Sequence, residues 1–206
     1  DYLAYDWRKP VALNGKTVAE RIAKKLKDDG NIPFVLVAHS MGGLVAANAL
    51  EYLENKYPVT HRRCKGLISM GTPWKGSFNG ALAMSARGNT VEQLARLTKW
   101  DTREIADICQ TFWGLSDTLP TDNPELLKPD IYAPGPLSTS PYADLQLSSP
   151  LELKAVPPAN TLAIVCDLFC TVNNLVPKAS GFEIEEGPGD GTVPLWSATR
   201  GGTLES

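Results

Sequence analysis

Histidine is scarce in this chain: two in 206 residues, His39 and His61. That leaves little from which to build a metal centre. The four cysteines, Cys64, Cys109, Cys166 and Cys170, lack the paired spacing of metal fingers. Nothing in the sequence calls for a metal or any other cofactor. Positive charge is not in surplus either. Twenty Lys and Arg against 23 Asp and Glu give a net charge of −3, without the basic footprint of a nucleic-acid binder. Long apolar runs are missing, and the longest, Ile32 to Ala38, is far too short to span a bilayer. The chain opens at Asp1 with no methionine and no charged-then-apolar leader. A mature secreted protein, a trimmed chain and an internal piece of a longer protein all fit. Compartment and cysteine redox state stay open.

What is present suits a globular domain with a substantial core: 43% hydrophobic and 21% charged residues. The most informative stretch is Phe34-Val35-Leu36-Val37-Ala38-His39-Ser40-Met41-Gly42-Gly43. Five apolar residues rich in β-branched side chains predict a strand buried on both faces, and Leu44 to Leu53 reads as a helix. A serine on a tight strand-to-helix turn, with small residues two before and two after, is the nucleophile elbow of α/β-hydrolases. The small flanks have a steric reading, in which a branch at Ala38 or Gly42 would strike the neighbouring strand or helix. The alternative is a serine that merely caps its helix.

Around the elbow, Tyr2 to Tyr5 reads as a short strand. Thr17-Val18-Ala19-Glu20 reads as a capping box opening a helix with Val18, Ile22 and Leu26 on one face and Arg21, Lys24, Lys25 and Lys27 on the other. Gly66 to Met70 is a second buried strand, broken by Gly71-Thr72-Pro73-Trp74. Alternating apolar strands and helices are the grammar of a parallel sheet with helices on both faces. After Trp74 the grammar changes. Val91 to Leu97 and Thr102 to Phe112 look helical, and nine of the sixteen prolines fall between Ser116 and Asn160, among Leu119, Leu126, Leu127, Ile131, Tyr132, Tyr142 and Leu145. Residues 74–158 therefore read as a cap inserted over the sheet's C-terminal edge. Thr161 to Cys166 returns to the sheet, and Phe182 to Glu185 is a further strand before Gly189-Asp190-Gly191-Thr192-Val193-Pro194.

Ser40 is the candidate nucleophile. Its hydroxyl needs a base to take the proton, and the base needs an acid to orient it. The Met41 N–H, first in the following helix, is placed to donate to an oxyanion. Three aspartates are candidates for the acid. Asp190 lies in a glycine-bracketed turn late in the chain, where the serine–acid–histidine order expects it, although Gly-Asp-Gly is also good turn chemistry. Asp167 follows the strand Thr161 to Cys166, and Asp6 precedes the serine, out of order. The base has no good candidate. His39 is adjacent to Ser40, where side chains diverge, and reads as a packing residue beneath the elbow. His61 enters at the opposite sheet edge, and no histidine follows Asp190.

Tyr5-Asp6-Trp7-Arg8, Ala38 to Gly42, Ser69-Met70-Gly71-Thr72-Pro73-Trp74 with Gly76-Ser77, and Gly189 to Pro194 occur in the order seen in lecithin:cholesterol acyltransferase-like proteins. The chain resembles that group, which includes phospholipid:diacylglycerol acyltransferases and lysosomal phospholipase A2. The likeness runs from residue 1 to about 80 and from about 160 to 200, and more loosely at Thr111-Phe112 and Leu119-Pro120. The resemblance implies Ser40 as nucleophile and Asp190 as acid; Trp74 is a candidate substrate contact. It places the histidine beyond Ser206 and a second oxyanion donor before the first strand. Ala38 stands where glycine is commoner.

The resulting expectation is an α/β-hydrolase fold, mostly parallel sheet with helices on both faces, missing parts at each end. Residues 1–73 and 159–206 form the core and 74–158 the cap. The expected activity is acyl-ester hydrolysis or O-acyl transfer on lipid esters, with the cap able to meet a membrane or lipoprotein surface and with no nucleic-acid partner. An inactive binding protein of the same fold, or an esterase for small soluble esters, is the alternative. A sheet without its early strands would also expose an edge.

Overall fold

The structure, a computed structural model, describes residues 1–30, 32–120, 159–178 and 181–199. Most of the proline-rich stretch, with Leu126, Leu127, Ile131, Tyr132, Tyr142 and Leu145, lies outside the described residues.

Three strands, β1 (Phe34–His39), β2 (Cys64–Met70) and β3 (Thr161–Ile164), form a parallel sheet in the order β1-β2-β3. The register sets His39 beside Met70, and Met70 beside Ile164, so all three strands end at one edge. Helix α1 (Val11–Asp28) precedes β1, and α2 (Met41–Lys56) with the short α3 (Pro58–His61) connects β1 to β2. The main core lies between these helices and one sheet face. Val11, Val18, Ile22 and Leu26 of α1 meet Leu44, Val45, Leu50 and Leu53 of α2 over Leu36 and Leu67. Each fully buried leucine there contributes about 2 kcal/mol. The two helices approach closely at Gly15, where a Cβ would stand 2.6 Å from that of Asn48.

Two expectations change. Helices on both faces are not seen among the described residues, because β1 alternates half-buried and exposed. Val37 is 65% exposed and Leu162 is 61% exposed on the uncovered side. Helix α2, which connects β1 to β2, packs with α1 on one face of the sheet, over Leu36 and Leu67. The Thr17 capping box does not form either. Helix α1 begins six residues earlier, at Val11, and the Thr17 hydroxyl donates to the Leu13 carbonyl inside it. Asn14 and Gly15 suggest a turn in sequence but serve the helix. The Asn14 side chain donates to the carbonyls of Asp6 and Lys9. The capping box that does form is Asp101 with Glu104, opening α6. Tyr2 to Tyr5 is not a strand.

Beyond β2, α4 (Asn79–Met84), α5 (Asn89–Thr98), α6 (Thr102–Cys109) and α7 (Trp113–Ser116) make up the described part of the segment between β2 and β3. They pack on an antiparallel hairpin of β4 (Phe169–Lys178) and β5 (Gly181–Gly189), through Phe78, Leu82, Met84 and Leu119 against Leu175. Strand β4 has no counterpart in the sequence-based reading. This segment also seats on the chain's first turn. Trp7 and Phe112 meet edge to face at 5.0 Å, the Gly114 N–H donates to the Arg8 carbonyl, and Asp117 accepts from the Val11 N–H at 2.7 Å. A final short helix, α8 (Leu195–Ala198), follows the Asp190 turn.

Candidate active site

Ser40 stands where β1 ends and α2 begins, with φ 53° and ψ −132°. A non-glycine residue in that region costs on the order of 1–3 kcal/mol and persists only where its surroundings over-determine it. Here they do. The Ser40 N–H donates to the Met70 carbonyl at 2.8 Å, and the Ser40 carbonyl accepts from the Gly43 N–H at 3.0 Å. The strained turn is clamped to β2 on one side and α2 on the other. The Ser40 side chain makes no capping hydrogen bond, so the helix-cap alternative fails. Its hydroxyl, half-buried at the C-terminal edge, is left without a partner among the described residues. Met41, first residue of α2, carries one of the helix's unpaired amides, and the helix N-terminus favours negative charge there.

The steric reading of the elbow shifts by one residue. A Cβ at Gly42 would meet the Tyr5 hydroxyl at 3.4 Å and the Ala38 Cβ at 3.9 Å, both ordinary contacts. Gly43 is the tight position, since the Thr72 side chain occupies the place a Cβ there would take. Glycine at 43 lets α2 lie against the segment leaving β2. That constraint is tertiary and has no signature in the five-residue pattern.

Asp190 follows β5 directly, and its carboxylate is held from two sides. Its Oδ1 accepts from the N–H groups of Thr192 at 2.9 Å and Val193 at 2.7 Å. Its Oδ2 lies 2.7 Å from where a Cβ at Gly71 would be. Gly71, with φ +54°, leaves β2 one residue after Met70, the residue that holds Ser40. Ser40, held by the Met70 carbonyl, and the Asp190 carboxylate, set against Gly71, therefore both lie at the C-terminal ends of the adjacent strands β1 and β2.

The turn itself is braced from several elements. The Thr171 hydroxyl accepts from the Gly191 N–H at 2.8 Å, and the Ser77 hydroxyl donates to the Thr192 carbonyl at 2.6 Å. Ser197, fully buried, donates to the Gly76 carbonyl and accepts from the Lys75 N–H. Gly76 packs against the backbone of Leu119 and Pro120. The sequence reading named Gly76-Ser77 and Leu119-Pro120 without giving them a task. Thr171 and Ser197 it missed, because isolated hydroxyl residues carry no periodicity.

The other candidates fall away. Asp6 is a surface residue engaged by Arg8 through two side-chain hydrogen bonds, which hold its carboxyl below the usual range. Asp167 is exposed, three residues past the end of β3, without a hydrogen bond among the described residues. His39 is exposed on the uncovered sheet face, so it does not pack beneath the elbow as expected. The alternation of β1 turns it away from the α1–α2 core. His61 lies in α3, before β2 starts, at the far edge. Trp74, a candidate substrate contact, is 3% exposed and belongs to the main core. A cavity of about 590 Å³ bounded by Lys24, Lys27, Tyr57 and Thr60 includes neither Ser40 nor Asp190 in its lining. Among the described residues no cluster of three or more His, Cys, Asp or Glu could hold a metal ion, and no helix is long and apolar enough to cross a membrane.

No curated protein matches the sequence. A similar solved structure is that of Bacillus licheniformis lipase BlEst2 in mature form, 22% identical, with a TM-score of 0.33. The likeness covers 54% of this chain and 44% of that one, so the chain spans less than half the length of that lipase. The profile described as lecithin:cholesterol acyltransferase matches residues 2–139, a stretch that includes Ser40 and the described part of the insertion and stops short of Asp190. That match takes in more than half of the 206 residues, and the chain belongs to the lecithin:cholesterol acyltransferase family.

Proposed function

We propose that this chain carries the nucleophile, the acid and one oxyanion donor of a serine acyl hydrolase or O-acyltransferase for lipid esters, built on an α/β-hydrolase core with residues 74–158 as its cap. The observation that carries the reading is Ser40 itself. It has a left-handed backbone at a strand–helix junction, makes no capping bond, and stands one strand from an oriented carboxylate.

In this mechanism the Ser40 Oγ attacks the ester carbonyl while a base takes its proton. The carbonyl oxygen becomes an oxyanion facing the Met41 N–H and the positive end of α2. Collapse expels the alcohol, which receives the proton, and leaves an acyl group on Ser40. Water or a second alcohol then takes that acyl group. Asp190 orients the base and steadies its charged form. Neither His39 nor His61 suits the base, so a histidine outside these 206 residues serves, as the family resemblance implies. The 206-residue chain alone should then turn over little, since loss of one triad member commonly costs on the order of 10⁶ in rate. Trp74 takes a supporting part, fixing the Gly71–Pro73 segment from within the core. Leu97 and Trp100, both exposed on and after α5, support a cap that meets a lipid surface.

The test is ester hydrolysis by the full-length protein and its Ser40→Ala variant, on p-nitrophenyl esters of rising chain length and on phospholipid vesicles. Loss of turnover in the variant is expected, with preference for the longer chains and vesicles. Undiminished hydrolysis by the variant would sink the assignment.

A further inference from the structure

Asp190 is bracketed by two glycines, and both of them answer to one side chain on the neighbouring strand. Gly191 has φ +88°, whereas Gly189 is not left-handed, so turn geometry does not demand glycine at 189. Space demands it. A Cβ there would stand 2.5 Å from the Thr171 Oγ1 and 2.5 Å from the Val193 carbonyl oxygen. On the other side of Asp190, the Gly191 N–H donates to the same Thr171 hydroxyl at 2.8 Å. Thr171 lies in β4, opposite Gly187, and is 2% exposed. Its side chain takes the place that a side chain at 189 would fill and holds the amide of 191.

The bonding at the carboxylate follows from this. The Thr171 hydroxyl has one proton, and it goes to the Phe169 carbonyl at 3.1 Å. A lone pair is left for the Gly191 N–H, which keeps that amide off Asp190. Of the three amides after Asp190, only those of Thr192 and Val193 reach the carboxylate, and both go to Oδ1. Oδ2 lies against Gly71 and has no hydrogen bond among the described residues. We propose that Thr171 is a positioning residue for the acid. By withholding the Gly191 amide and filling the place beside Gly189, it leaves Oδ2 open to the N–H of the base. This rests on Asp190 acting as proposed above. A third amide on the carboxylate would lower its basicity and weaken its hold on a protonated base.

Thr171→Val keeps the shape and removes the hydroxyl, whereas Thr171→Ser keeps the hydroxyl. In the full-length protein, on one p-nitrophenyl ester, Thr171→Val should lower kcat roughly ten- to a hundredfold with KM within about twofold. The acidic limb of its kcat/KM profile should move to lower pH by about half a unit, since a mis-set acid steadies the charged base less. Thr171→Ser should restore both. In an Asp190→Asn background, Thr171→Val should cost little more, because its effect passes through the carboxylate; a change that merely loosened the fold would add its loss in full. Amide exchange of the peptide holding Gly191 gives a readout independent of turnover. It should speed up in Thr171→Val and not in Thr171→Ser. Wild-type kcat and pH limb in Thr171→Val, an equal loss in Thr171→Ser, or full additivity with Asp190→Asn overturns the proposal. If exchange rises in Thr171→Val while Asp190→Asn keeps full turnover, the clamp on the turn stands and Asp190 is not the acid.

Discussion

The Ser77 hydroxyl donates to the backbone carbonyl of Thr192 at 2.6 Å, across 115 residues of sequence. This bond ties the segment that leaves β2 and enters the insertion to the turn that carries Asp190. Movement of the Ser77 segment relative to the sheet is therefore passed to the Asp190 carboxylate through Thr192. Ser77→Ala removes a mostly buried bond worth about 1 kcal/mol. If Asp190 is the acid proposed above, the variant of the full-length protein should lower kcat more than it raises KM, because Asp190 is mis-set while the substrate surface is intact. Steady-state kinetics on one ester, with a thermal melt on the same preparation, checks both parts.

The strain at Ser40 can be read from stability alone. Ser40→Gly relaxes the left-handed backbone, whereas Ser40→Ala keeps a Cβ in it. Both remove the hydroxyl, which has no partner among the described residues. The glycine variant should be the more stable by about 1 kcal/mol in denaturant unfolding. Equal stabilities would mean that the turn is not strained.

The neighbouring glycines should separate sharply. Gly43→Ala drives a methyl into Thr72 and should cost on the order of 1–3 kcal/mol, while Gly42→Ala meets only ordinary contacts and should cost well under that. Paired melts of the two variants decide it. The sequence pattern taken alone ranks them the other way, since Gly42 is the motif position and Gly43 is not.

That reversal shows what was legible in the sequence. The strand, the turn and the helix around Ser40 could be read because each is local, a β-branched run followed by small residues and a helical period. The order of Ser40 and Asp190 could be read because each sits in a distinctive turn. The start of α1 could not, because its cap is Asp117, 106 residues away, and because Asn14 and Gly15 resemble turn formers. The uncovered sheet face could not be foreseen either, since strand apolarity is the same whether one face or two are covered. Strand β4 escaped because Asn173 and Asn174 interrupt its apolar run.

Asp117 makes a pH prediction. Burial raises its carboxyl from 3.8 to about 6, opposed only in part by the Val11 N–H. Between those values the folded chain binds the proton more tightly than the unfolded chain. Stability from this group is thus gained as pH falls from above 6 towards 4, and lost as pH rises through about 6. Asp117→Asn keeps an acceptor for Val11 and removes the titration. The variant's melting temperature should be flatter across that window and higher than wild type at pH 7 to 8. A wild type that melts higher at pH 7.5 than at pH 5, relative to the variant, would reverse the sign and refute the burial argument.

The most direct measurement is covalent labelling of the full-length protein with a fluorophosphonate, followed by peptide mapping. The proposal expects one adduct, on the peptide containing Ser40, formed quickly in wild type, orders of magnitude more slowly in Asp190→Asn, and not at all in Ser40→Ala. An adduct on another serine, or equal labelling of wild type and Ser40→Ala, would contradict Ser40 as the nucleophile.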